Sequence, residues 1–146
     1  MSNESNNETG LLKSPQSQPM QERRPRPNTT ILSEGARLQV RMGDEIVVLQ
    51  VQDYMLIGRT IEGDDPASYA LDLGPFGGYQ NGVSRQHAAI TRHEGGLYIE
   101  DLGSTNGTRI NGFQLTARRK YRLRDGDEIE FARLRTVFRF VHPGDE

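Results

Sequence analysis

The sequence predicts an all-β fold, a β-sandwich of short antiparallel strands behind a disordered N-terminal tail, on three observations. Apolar and polar residues alternate along several short runs. Turn-forming pairs separate those runs roughly every eight to twelve residues. No segment carries the apolar stripe at 3.6-residue spacing that a helix requires.

The elements follow in chain order. Residues 1–36 are rich in Ser, Asn, Gln and Glu, with Pro15, Pro19, Pro25 and Pro27 close together. Apolar side chains are too sparse there to offset the entropy of ordering the backbone, so this stretch reads as a disordered tail and 37–146 as the folded domain. From Arg37 the period becomes two. Leu38, Val40 and Met42 alternate with Arg37, Gln39 and Arg41, the pattern of a strand buried on one side. Glu45–Val51 is a more continuous β-branched run, and Tyr54–Ile57 follows it. Ala88–Thr91 and Leu97–Leu102 read as further strands. Tyr121 and Leu123, then Ile129 and Phe131, then Thr136, Phe138 and Phe140 repeat the alternation toward the end. Gly43-Asp44, Gly95-Gly96, Asn111-Gly112 and Asp125-Gly126 supply the turns, the last two as hairpins.

One segment breaks the rhythm. Thr60–Val83 holds Asp64, Asp65, Pro66, Gly74, Pro75, Gly77, Gly78 and Gly82, and at most Ala70–Leu73 looks like a strand. A sandwich rarely keeps so long an irregular excursion without a use for it, and binding residues favour loops held by a rigid scaffold.

Composition narrows the function classes. The 146 residues suffice for one domain of ordinary size, and a formal net charge of −2 gives no electrostatic case for a nucleic-acid partner. The absence of cysteine removes disulfides and thiolate catalysis and suits a cytoplasmic setting. The polar N-terminus lacks the apolar core of a signal peptide, and no apolar run approaches the roughly 20 residues of a membrane span, so no membrane association is expected.

Three short motifs fall at expected strand ends around the irregular segment. They are Gly58-Arg59, Ser84-Arg85-Gln86-His87, and Ser104-Thr105-Asn106-Gly107-Thr108. Each alone is a weak signal; their order and spacing on a sandwich pattern are specific. Together they resemble the forkhead-associated (FHA) domain family across roughly residues 37–141. Leu71-Asp72-Leu73, a Gly-rich loop and Gly82-Val83-Ser84-Arg85 are similar to bacterial members carrying a single such domain.

The resemblance implies a sandwich of about eleven mostly antiparallel strands whose loops at one end bind a phosphothreonine peptide. It implies that Arg59 contacts the phosphate or the peptide near it, and that Ser84 donates its hydroxyl to a phosphate oxygen. Arg85 matches a variable position that assists the phosphate, Thr105 lines the cleft, and Asn106 bonds the ligand backbone. Gly58, His87 and Gly107 are implied as structural support. Phosphothreonine carries about −1.5 to −2 charge and three acceptor oxygens, and two guanidiniums with a hydroxyl answer that locally despite an acidic total.

Each motif also has a plainer reading. Arg59 could be a solvated arginine, Ser84 a turn cap, and Asn106-Gly107 a plain turn. Ser84 and His87 lack the third group and oxyanion site of a triad, so an enzyme is not expected. The histidines lack zinc spacing, Asp125-Gly126-Asp127 lacks a calcium loop, and Gly74–Gly78 lacks the lysine of a nucleotide loop, so no metal or cofactor is expected. The expected function is a phosphothreonine-binding adaptor, with phosphothreonine proteins and a Ser/Thr kinase as partners. A phosphate-independent interaction module is the alternative. The tail adds Thr9, Thr29 and Thr30 as candidate phosphorylation sites, with Arg23, Arg24 and Arg26 upstream of the latter two. The resemblance implies that such a tail, once phosphorylated, can occupy the domain's own cleft.

Overall fold

A computed structural model describes residues 32–144. Eleven strands form two sheets, with two short 3-10 turns and no α-helix among these residues. In sequence order they are β1 (Arg37–Met42), β2 (Glu45–Gln50), β3 (Tyr54–Gly58), β4 (Leu71–Asp72), β5 (Gln86–His93) and β6 (Gly96–Asp101). They continue as β7 (Thr108–Ile110), β8 (Phe113–Gln114), β9 (Tyr121–Leu123), β10 (Asp127–Phe131) and β11 (Leu134–Val141). One sheet runs β2-β1-β11-β10-β7-β8 and the other β4-β3-β5-β6-β9. Every paired neighbour is antiparallel except β3 with β4.

The alternation in sequence becomes the core. Leu38, Val40, Ile129, Phe131 and Phe138 point inward from the first sheet, and Met55, Ile57, Ile90, Leu97, Ile99 and Leu123 meet them from the second. All are essentially inaccessible to solvent, and each such side chain contributes about 1.5–3 kcal/mol by leaving water. The β-branched run Glu45–Val51 behaves differently. As β2 it buries Leu49, while Ile46 and Val48 stay exposed.

Three expectations are corrected. The chain is fixed to the sandwich before Arg37: the Leu32 amide donates to the Gly95 carbonyl at 2.8 Å, Ser33 Oγ meets His142 Nδ1 at 2.7 Å, and Ala36 is buried. These anchors are single contacts without a period, so they leave no pattern to read. Asp125-Gly126 is not a hairpin, because β9 and β10 belong to different sheets. Gly126 does take positive φ (88°), but its amide donates to Phe138 and the Asp125 carboxylate accepts the Phe140 amide at 2.9 Å. The turn carries the chain across the sandwich. Finally, the β5–β6 turn is Glu94-Gly95, with both residues at positive φ, and Gly96 is already strand. Asn111-Gly112 is the hairpin turn expected, with φ of 49° and 86° between β7 and β8.

Candidate functional site

The irregular segment, the β6–β7 connection and the β10–β11 turn converge at one end of the sandwich. At the end of β3 the chain passes so close to the segment before β5 that a Cβ on Gly58 would lie 1.9 Å from the Arg85 carbonyl oxygen. Only hydrogen fits there. The close approach lets the Arg59 amide donate to Arg85 O at 3.0 Å. The Arg59 side chain then folds back: Nε donates to Val83 O at 2.9 Å, and the guanidinium lies 5.2 Å from the centre of the Tyr79 ring. Among the described residues no hydrogen bond engages its Nη groups, so their donors remain for a ligand.

His87 fixes the next motif. It is fully buried, its ring edge against Phe131 with centroids 5.7 Å apart. The Ser84 amide donates to Nδ1 at 2.9 Å, so Nδ1 carries no hydrogen. Nε2 is therefore the protonated nitrogen and donates to Gly107 O at 2.9 Å. Burial lowers the pKa of this ring below the usual histidine value, against the opposing pull of the Gly107 carbonyl and the Asp101 charge. A neutral histidine thus staples the Ser84 and Gly107 loops together.

Ser84 Oγ accepts from the Thr105 amide at 3.0 Å, which leaves its own hydroxyl proton to donate. Asn106 Nδ2 donates to Gly82 O at 3.0 Å, leaving Oδ1 as an acceptor. Gly107 sits at φ 88°, and its carbonyl also accepts the Ala132 amide, tying in the β10–β11 turn. Arg85 is exposed and faces the Asp64 carboxylate at 3.7 Å. Arg59, Thr105 and Asn106 thus each bond to the segment Gly82–Arg85, which holds Ser84, with Arg85 beside them. Thr9, Thr29 and Thr30 lie outside the described residues.

Two supporting carboxylates carry no role in the sequence reading. Asp101, at 3% exposure, accepts from the hydroxyls of Ser104 and Thr108, both at 2.6 Å, and from the amides of Gly103 and Ser104, both at 3.0 Å. Burial pushes its carboxyl up, but these four bonds outweigh that and hold it below the ordinary carboxylate value. Asp72 does the same for the other loop, accepting from Thr60 N and Oγ1 and from Gly74 N. Both stand in the string Asp-Leu-Gly, Asp72-Leu73-Gly74 and Asp101-Leu102-Gly103, and that is the available signal, since Asp readily caps its own downstream backbone. Tyr79 is also absent from that reading, and nothing local to it announces a partner that lies twenty residues back. Among the described residues no group of His, Asp and Glu is placed to hold a metal ion, and no helix is long and apolar enough to cross a membrane.

The family profile of the FHA domain matches residues 55–132, from β3 through the β10–β11 turn and so through every motif just described. The chain belongs to the FHA domain family. The FHA fold recurs in solved structures. One from a structural and functional study of phosphothreonine-dependent FHA domain interactions is 26% identical, with a TM-score of 0.55 over 73% of this chain and 98% of that one. The FhaA FHA domain, solved in complex with the intracellular domain of Rv3910, is 27% identical, with a TM-score of 0.54 over 71% and 99%. Curated relatives carrying similar FHA sequence are bacterial. Protein FraH of Nostoc sp. is 47% identical over 51 residues, which are 35% of this chain and 18% of FraH. The oxoglutarate dehydrogenase inhibitor of Corynebacterium diphtheriae is 39% identical over 56 residues, 38% of this chain and 37% of that protein. The chain therefore spans well under half the length of these relatives.

Proposed function

We propose that this FHA domain is a phosphothreonine-peptide reader in Ser/Thr kinase signalling, a binding module and not a catalyst. The observation that carries the reading is the arrangement of unspent donors at one end of the sandwich. The Arg59 Nη groups and the Ser84 hydroxyl proton are held there by bonds that use only their other atoms. Asn106 Oδ1 stands beside them as an acceptor for a peptide amide. Charge-assisted bonds contribute roughly 1.5–3 kcal/mol each, and two or three of them, less ordering costs, lead to affinity near micromolar. The phosphothreonine-dependent interactions of the FHA relative above support the same ligand class.

Titration with a phosphothreonine peptide, its unphosphorylated twin and its phosphoserine analogue tests this. Tight binding of the first alone is expected. Equal affinity for the unphosphorylated twin would assign the site to phosphate-independent interaction instead.

Occupation of the cleft by the chain's own tail is the finer proposal, and the anchor at Leu32 supports Thr9 over Thr29 and Thr30 for it. Leu32 is fixed to the β5–β6 turn, whereas Ser84 precedes the opposite end of β5. A strand of eight residues is about 26 Å long. Thr29 is three residues from Leu32 and reaches at most about 10 Å. Thr30 reaches less. Thr9, about 23 residues upstream, commands up to roughly 75 Å. A phosphate on Thr9 should therefore lower affinity for an added phosphopeptide, and one on Thr29 or Thr30 should serve partners in trans. Mass mapping after incubation with a Ser/Thr kinase, followed by peptide titration, distinguishes the two.

A further inference from the structure

The two sheets have four edges, and they are not alike. Strands β4 and β8 each have two residues, and β9 has three, flanked by Lys120 and Arg124 and carrying Arg122 on its outer face. Short edge strands and cationic side chains are the ordinary means of keeping an open edge from recruiting another strand. The fourth edge, β2, has neither. It runs six residues, Glu45–Gln50, and among the described residues pairs only with β1. Between its ends lies Ile46-Val47-Val48-Leu49, with no proline, glycine or charge. Ile46 and Val48 face solvent at 55% exposure each, opposite Arg41 and Gln39 of β1.

We propose that β2 is a self-pairing edge: two copies of this chain associate through antiparallel β2 strands, extending the six-stranded sheet across a twofold axis at Val48. Face parity requires the axis to lie on a residue, and at Val48 it avoids setting Glu45 against the buried Leu49, as an axis at Val47 would. Val47 and Leu49 turn inward with Val40 and Leu38, while Ile46, Val48 and Gln50 turn outward. An axis at Val48 sets Val48 against its own counterpart, Ile46 against Gln50 and Val47 against Leu49. Every residue then meets one of the same face, and no like charges oppose one another. A twofold contact of this kind uses one patch on both copies and closes on itself. The chain's own tail is a poor competitor for the edge. Residues 1–28 contain Pro15, Pro19, Pro25 and Pro27 and no β-branched run, and the run Thr29-Thr30-Ile31 is only half the length of β2. One strand pair buries less than the roughly 1,200–2,000 Å² of a stable complex, so the dimer is weak and concentration-dependent.

Sedimentation of the full chain over about 10–500 µM, with amide hydrogen exchange at both extremes, reads the proposal directly. The expected result is a rise in mass with concentration, and protection of β2 backbone amides that rises with it. Val48→Lys sets two cations against each other at the axis and should weaken association by about tenfold or more, with the melting temperature and phosphopeptide affinity retained. If Val48→Lys fails to fold, the double variant Ile46→Lys, Gln50→Lys sets cations against each other at the neighbouring pairs and gives the same reading. A monomer throughout overturns the proposal, as does a folded Lys variant that associates like the parent chain. Protection of β2 that is independent of concentration would give the edge to the chain's own tail, and overturns it equally.

Discussion

The end of the sandwich that holds Arg59 and Ser84 and the edge formed by β2 invert the usual link between regularity and satisfaction. The Gly74–Val83 loop has almost no repeating structure, yet its polar backbone is densely bonded. Gly77 donates to Gly74, Gly78 to Leu73, Asn81 to Gly77, Gly82 to Tyr79 and Val83 to Gly78. Asp72 and Asp101 collect the remaining amides and hydroxyls. Strand β2 is fully regular and leaves one side of its backbone without a strand neighbour among the described residues. The contrast teaches that order at the loop end depends on a few buried acceptors, while order at the edge depends on the core beneath it. The two should therefore fail in different ways.

The largest effect expected comes from Asp101→Ala. It leaves the buried Thr108 hydroxyl and three other donors without their acceptor, a loss of about 3–5 kcal/mol. Thermal unfolding should show a fall of roughly 4–8 °C for each kcal/mol, with ligand binding lost as well. Next are Arg59→Ala and Ser84→Ala, which should weaken phosphopeptide binding by about 1.5–3 kcal/mol each while the melting temperature barely moves. Full affinity in either variant would separate the candidate cleft from the true one.

The pH dependence tests the histidine staple. Burial keeps His87 neutral in the fold, so between its lowered pKa and the ordinary value the unfolded chain binds a proton that the fold refuses. Stability is thus complete above about pH 6.5 and declines as pH falls below it. Denaturant midpoints between about pH 7.5 and 5.5 should show that slope, and His87→Gln should flatten it. The smallest effect is that of Asp64→Asn. Removing a carboxylate 3.7 Å from the exposed Arg85 should raise phosphopeptide affinity by no more than about fivefold, in line with a surface pair worth up to ~1 kcal/mol. The gain should fade at high salt.

The fold was largely legible because period-two alternation fixes which face each strand buries, and Leu38, Val40, Ile129 and Phe138 lie where it places them. Sheet membership was not legible at Asp125-Gly126, since the same dipeptide serves a hairpin and a crossing between sheets. The positive φ of Ala132 (57°) was equally hidden, because tertiary contacts there hold an alanine in a conformation that local sequence would assign to glycine or asparagine. At the candidate site, the motif residues were visible as short strings that meet in space. The carboxylates beneath them were not. About half of their partners are backbone amides, which any residue supplies, and the Asp-Leu-Gly string they share marks a local cap without showing that Asp72 also gathers Thr60 or that Asp101 also gathers Thr108.

The His87 staple also bears on kinetics. Ser84, Thr105 and Gly107 are positioned relative to one another by bonds within the domain itself. A peptide landing on this surface meets a finished receptor and triggers no folding step, so arrival rates for different peptides should fall within about one to three decades of one another. Discrimination among them would then be written in residence time.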